Sequence, residues 1–406
     1  MQPKMPGLVE FVALVALLSS LMALAIDAML PALPVIGTDL GVSNPNSPQL
    51  IISTVFLGML VGQVLFGPIS DSIGRKPLIY WGLGLFMVGS LVSMFAHSFE
   101  MMLFGRILQG IGVAAPRVVT MALVRDCYSG REMAQIMSFT MIVFIMVPAI
   151  APSLGQGIIW IADWRMIFGA FILLSAPMLI WFWLRMPETW PAAKRRPFAW
   201  HEQWAATKIV CSNRLVMGYS LVTGLVFAAF LGYLNSVQQI LQEQYGLGAQ
   251  FPLYFAALAL SIGGASIVNA KLVMKLGMRL LSARALQVVS ALSAIFLVIV
   301  LMQSGQPPLW LFMAYCLIAF FSVGLLFGNL NALAMEPIGD YAGIGASIIG
   351  IVSTAVAIPI GVLIGQAYNK TVIPIVLGFL ILTVLALFLQ RWTECQRSKT
   401  VELVRP

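Results

Sequence analysis

Charge is what this 406-residue chain has least of: Asp, Glu, Lys and Arg together make up 9% of it, while 60% is hydrophobic. A soluble domain carries roughly 25% charged residues, and a chain this apolar could not cover a water-facing surface. Histidine and cysteine are almost as scarce, two and four respectively. No CxxC, HExxH or clustered His/Cys spacing occurs, so metal sites and metal catalysis are excluded as readings, and no disulfide framework is expected. No GxxxxGK[ST] stretch is present, so the chain has no phosphate-binding loop with which to drive itself by ATP. Long apolar runs are what remain, with a mean hydropathy of +0.96.

A membrane helix needs about 20 apolar residues. Runs of that length bounded by charge or by Pro, Gly and Asn clusters fall at 8–33, 48–69, 78–97, 100–122, 134–157, 164–185, 214–236, 250–273, 282–303, 308–333, 343–366 and 371–390. The expected fold is therefore an all-α membrane protein of twelve transmembrane helices in two six-helix pseudo-repeats. Residues 1–185 form the first bundle, 186–213 a cytoplasmic linker containing Lys194, Arg195 and Arg196, and 214–406 the second bundle with a short tail. The first run, preceded by Lys4 alone, reads as a retained span and not as a cleaved leader. With the N-terminus in the cytoplasm, only Arg165 and Lys370 of the 23 basic residues fall on the opposite side, and Arg106 and Arg117 fall inside a span. That asymmetry supports the even count and places both termini in the cytoplasm. The net charge of +8 then belongs to a cytoplasmic membrane surface, with no nucleic-acid partner implied.

Asp27 is the one acid well inside an apolar run, about 10 Å from the outer end of its span. Arg106 lies about 9 Å from the same side in the fourth span, so the two are expected at one depth as a carboxylate–guanidinium pair. A carboxylate that alternates between binding a proton and pairing with an arginine is a minimal coupling device. Arg117 lies eleven residues further on, about 20° from the same helical face, and is expected to face the same cavity. The turn Gly67-Pro-Ile-Ser-Asp71-Ser-Ile-Gly74-Arg75-Lys76-Pro77 puts an acid four residues ahead of two bases. It reads as a latch in which Asp71 meets Arg125 or a helix N-terminus. Asn269-x-x-Leu-x-x-Lys275-x-Gly277-x-Arg279 in the second half looks like a worn copy of that turn. Pro148 and Pro152 interrupt the backbone bonding of the fifth span and mark a kink. Tyr233, Asn235, Asn269, Asn329 and Asn331 are candidate polar contacts of a substrate cavity. Gly58-x-x-x-Gly62, Gly263-Gly264 and Gly361-x-x-x-Gly365 are close-packing signals.

The turn from Gly67 to Pro77 resembles the signature that follows the second helix in the Major Facilitator Superfamily, and Arg106-x-x-Gln109-Gly110-x-Gly112 resembles that superfamily's motif in drug:proton antiporters. Asp27-Ala-Met-Leu-Pro-Ala-Leu-Pro, Arg125-Asp126-Cys-Tyr128, Pro148-x-x-Ala151-Pro152, Trp164-Arg165 and Pro187-Glu188-Thr189 are similar to the Bcr/CflA (bicyclomycin/chloramphenicol resistance) type within it. The resemblance implies multidrug export in exchange for protons by alternating access, in a bacterial cytoplasmic (inner) membrane. The partners are then a small amphipathic substrate, protons and the lipid bilayer, with no cofactor beyond the coupling proton, no enzymatic activity, and a monomer expected. It adds Gln109 to the substrate cavity, Asp126 to the cytoplasmic gate of Gly67, Asp71, Gly74, Arg75, Lys76 and Arg125, and places the paired glycines at sliding contacts between the halves. The chain departs from the pattern at Gly155-Gln156, where paired glycines are usual, and Arg117 has no counterpart in it. Proton-coupled uptake and a non-transporting receptor are the rival readings.

Overall fold

In a computed structural model, residues 5–128, 130–190, 195, 200–338 and 342–404 are described, some helical positions by their backbone alone. Every regular element among them is helical. The first half comprises α1 (Leu8–Asp27), α2 (Leu33–Asp39), α3 (Leu50–Ile73), α4 (Arg75–Met94), α5 (Phe99–Cys127), α6 (Gly130–Ile161) and α7 (Arg165–Arg185). The second comprises α8 (Trp200–Ser212), α9 (Arg214–Leu234), α10 (Phe251–Leu276), α11 (Met278–Met302), α12 (Leu309–Met335), α13 (Ala342–Gln366) and α14 (Ile373–Val404). Eleven spans among the described residues are long and apolar enough to cross a membrane, α1 and α2 counting as one, and α6 contributes the apolar stretch Met146–Ile161. The chain divides into two compact units, Met1–Trp200 and His201–Pro406. Helix α8 occupies the later part of the polar connection between the two sets of spans.

Several helices outrun their apolar stretches. Helix α5 continues to Cys127 and α14 to Val404, because a helix satisfies its own backbone in lipid and in water alike. The first span instead breaks early. Helix α1 stops at Asp27, a 3-10 turn covers Leu30–Ala32, and α2 resumes. Pro31 has no N–H to give the Asp27 carbonyl, and Pro34 none for Leu30, so the break is written at the carboxylate itself. In α6, by contrast, Pro148 and Pro152 lie within one continuous helix.

In the first unit α5 is pressed between α3 and α4. A side chain on Gly110 would run into the Val55 carbonyl of α3, and one on Gly112 into the backbone of α4 at Phe86 and Gly82. Gly58 and Gly62 of α3 meet the α5 backbone at Ile107 and Ile111, and Gly361 and Gly365 of α13 meet Leu231 of α9 and Asn235 just past its end. These glycines therefore pack helices inside one unit; small residues serve wherever two backbones close, whichever helices those are. Gly110→Val should force α3 from α5 by more than an ordinary core overpacking of about 1–3 kcal/mol. Loss of the monodisperse peak in detergent size-exclusion chromatography is the expected result. Gly84→Ala, where no atom lies within 4 Å, should leave that peak unchanged.

In the second unit a six-residue π-helix, Gln239–Gln244, follows the end of α9. The hydroxyl of Tyr245 donates to the Pro307 carbonyl (2.7 Å) and that of Tyr368 to Gln244 Oε1 (3.1 Å). Burial, with Glu243 nearby, pushes the Tyr368 phenol up to about 12, so it stays a neutral donor at physiological pH.

Candidate functional site

Asp27, the last residue of α1, is 5% exposed, and its carboxylate makes no ion pair among the described residues. The backbone of α6 lies directly against the following turn, since a side chain on Gly155 would collide with the Ala28 carbonyl. Glycine is required there by close approach, and one suffices; the adjacent Gln156 is buried instead.

Arg106 of α5 is completely buried. It does not pair with Asp27. Its Nη2 donates to the Ala25 carbonyl (2.8 Å), its Nε to the Ile51 carbonyl (3.1 Å) and its Nη1 to Gln109 Oε1 (2.7 Å), with the guanidinium 5.8 Å from the Phe168 ring centroid. The physical reason is the broken helix: where α1 ends, the last turn leaves carbonyls without helical donors, and Arg106 satisfies one of them. Two residues from the carboxylate, the arginine holds the backbone that carries it.

Gln109 passes the network on, its Nε2 donating to Ser90 Oγ (2.7 Å), which donates to the Phe86 carbonyl (2.8 Å). Gln109 is fully buried and occupied by Arg106 and Ser90, so it is a structural partner of Arg106 and not a cavity contact. Arg117 also reaches α1, where its Nη1 lies 3.2 Å from the Met22 sulfur, a weak acceptor, and its side chain is exposed.

In the second unit the polar candidates are largely absorbed. Asn269 of α10 and Asn329 of α12 bond each other through both amides, at 2.7 and 3.3 Å, and Asn329 also donates to the Leu325 carbonyl. They join two helices. Asn235 is buried and donates to the Leu231 carbonyl (2.9 Å), and Asn331 is exposed. Tyr233 is buried among rings, 4.5 Å from Phe320 and 6.3 Å from Phe255. That cluster opens outward through the half-buried Phe227, Phe230 and Phe327, whose centroids are 6.0–6.4 Å apart. The aromatic patch was missed by sequence reading, although its i, i+3, i+6 spacing at 227, 230 and 233 is visible there.

At the basic end of the first unit, Gly74 has φ +108 and begins α4, and the turn there is organised by Glu188. Its two carboxylate oxygens accept from the backbone N–H groups of Arg75 (3.0 Å) and Lys76 (3.1 Å), capping a helix N-terminus with negative charge. Arg75, 2% exposed, donates to Asp126 Oδ2 (3.0 Å) and to Ser70, and stacks 4.6 Å from the Trp190 ring. Lys76 donates to the Trp183 carbonyl (3.0 Å). Asp126 thus makes the ion pair of Arg75, Arg195 lies 3.8 Å from Glu188, and Arg125 is exposed and without an ion pair among the described residues. The side chain of Asp71 lies outside the described residues. Glu188→Ala removes both acceptors at the start of α4 and should lower stability by about 1–2 kcal/mol, read as a lower Tm in detergent, while Glu188→Gln recovers part of it.

The second unit carries the same device. Gly277, with φ +74, begins α11, and Arg279 is held by Glu336 at the end of α12 and by Glu394 of α14, whose Oε1 it meets at 3.1 Å. A positive-φ glycine followed within two residues by an arginine that pairs with an acid of another helix therefore recurs in both units.

Residues 15–362 match the family described as the Major Facilitator Superfamily. The bicyclomycin resistance protein homolog of Haemophilus influenzae is 29% identical over 90% of this chain and 91% of its own, and the multidrug resistance protein MdtL of Escherichia coli is 28% identical over 80% and 81%. An uncharacterized MFS-type transporter of Bacillus subtilis, YdgK, is 27% identical over 87% of both chains. Among solved structures, the xylose transporter XylE from E. coli superposes with a TM-score of 0.74 at 14% identity, covering 94% of this chain and 96% of its own. The human organic anion transporter MFSD10 superposes at 0.71 and 19%, covering 95% and 100%. At these identities the solved structures speak to the fold alone.

Proposed function

Because this chain belongs to the Major Facilitator Superfamily, it is a multi-pass membrane transporter and not an enzyme, and we propose that it exports small amphipathic compounds in exchange for protons. The observation that carries the proposal is the buried Asp27 at a break in α1, on a turn gripped by Arg106 and pressed by Gly155. Asp27 is the proton carrier. A carboxylate at a helix break can change its charge and move the short segment that follows it, since that segment is not locked into a continuous helix. Arg106 acts as a positioning residue for that turn. The aromatic patch of Phe227, Phe230 and Phe327 supplies an adaptable apolar contact suited to varied ring-bearing compounds. Resistance functions named for the H. influenzae and E. coli relatives agree with this reading.

In the same reading both termini lie in the cytoplasm of a bacterial inner membrane, following the one-sided distribution of Lys and Arg. Gly74, Arg75, Asp126 and Glu188 then stabilise the cytoplasmic gate, and the functional unit is the monomer. The test is substrate-dependent proton movement in proteoliposomes across a panel of antibiotics and dyes. Antiport requires that an imposed inward proton gradient drive substrate out and that adding substrate dissipate the gradient; substrate movement in the same direction as protons would establish uptake and sink the proposal.

A further inference from the structure

Between α11 and α14, at the basic end of the second unit, lies a groove of about 320 Å³ lined by Arg279, Leu280, Ala283, Leu387, Gln390, Arg391 and Glu394. Its lining changes character along α14. Leu387 is apolar, and from Gln390 onward the helix turns polar, within roughly two turns or about 10 Å. Phe388 and Trp392 stand exposed beside it, 62% and 48%, and Leu280 is 46% exposed. An exposed tryptophan where an apolar helix face meets charge marks the depth of the membrane–water interface. The groove therefore opens to lipid at headgroup level.

Its polar half is incompletely satisfied. Arg279 is neutralised by Glu394 and Glu336, and Arg397 adds a further contact to Glu394 at 3.4 Å. Arg391 is exposed and has no acid partner among the described residues. With Arg279, Arg391 and Arg397 against Glu336 and Glu394, the cluster keeps one positive charge. Gln390 is 3% exposed; its Nε2 donates to the Arg279 carbonyl at 3.4 Å, and its Oε1, an acceptor, is buried with no partner among the described residues. A buried acceptor left unmade is costly. The site thus offers an apolar wall, an unspent cation and an acceptor that needs a donor.

We propose that this groove binds an anionic glycerophospholipid whose headgroup carries a hydroxyl: the phosphate on Arg391, the hydroxyl donating to Gln390 Oε1, and an acyl chain along Leu280, Ala283 and Leu387. Phosphatidylglycerol has this chemistry. Phosphatidylcholine lacks both the net charge and the donor. The proposal does not depend on what the protein transports, so it stands or falls separately from the proton-exchange reading.

The test is native mass spectrometry of the full-length protein, delipidated in detergent and titrated with phosphatidylglycerol, phosphatidylethanolamine or phosphatidylcholine. One phosphatidylglycerol should be retained at least about fivefold more tightly than either zwitterionic lipid, the factor matching about 1 kcal/mol for a basic residue at an anionic surface. Arg391→Gln should erase that preference, and Gln390→Leu should weaken phosphatidylglycerol retention. Lys275→Gln, an exposed cation outside the groove, should change neither. Equal retention of phosphatidylglycerol and either zwitterionic lipid, or an undiminished preference in Arg391→Gln, overturns the assignment. Displacement of the bound lipid by millimolar glycerol 3-phosphate would also overturn it, by showing a site for a soluble phosphate.

Discussion

Asp27→Asn should give a folded protein in which pH-gradient-driven export falls to the background of empty liposomes, while exchange of substrate down its own gradient persists. The amide preserves the size and polarity of the side chain at the end of α1 but cannot take up and release a proton. Stability should change little. Replacing a buried ionisable group by a neutral one of the same shape is often neutral or stabilising, so the melting temperature in detergent is expected to stay level or rise. The two measurements separate the roles: a static acid that holds helices together would lower the melting temperature and spare the coupling. Full pH-gradient-driven export by this variant would falsify the assignment of Asp27 as proton carrier.

The spans could be read from sequence because each uses about 20 apolar residues, a signal that needs no knowledge of partners. The break at Asp27 follows from Pro31 and Pro34, whose missing N–H groups are a property of the residues themselves, but the apolar run 8–33 reads as one continuous span and conceals it. What α5 does with Arg106 was not. Two of its three acceptors are backbone carbonyls, at Ala25 and Ile51, and every residue has a carbonyl, so no residue type advertises them. The acids of the second basic cluster were hidden by distance along the chain: Glu336 and Glu394 lie 57 and 115 residues from Arg279. The same holds for Asn269 and Asn329, 60 apart, which looked like free amides until the helices that carry them were seen to touch.

Arg106→Ala should cost more stability than any other single substitution in the first unit outside its glycine contacts. Removing the guanidinium strands three buried acceptors at once, the carbonyls of Ala25 and Ile51 and the amide oxygen of Gln109. Breaking a buried charged network by deleting one partner costs about 3–5 kcal/mol in soluble proteins. A large drop in melting temperature and loss of transport are expected together. Arg106→Lys separates charge from geometry. The ammonium keeps the positive charge, but three rotatable donors at one point cannot span oxygens that the planar guanidinium fork reaches on α1, α3 and α5. If the arginine works by positioning the Asp27 turn, Lys should recover part of the melting temperature and little of the coupled transport. Near-complete recovery of transport by Lys would mean that charge alone suffices at this position. The three acceptor contacts would then be packing, and the turn after Asp27 would need another residue to hold it.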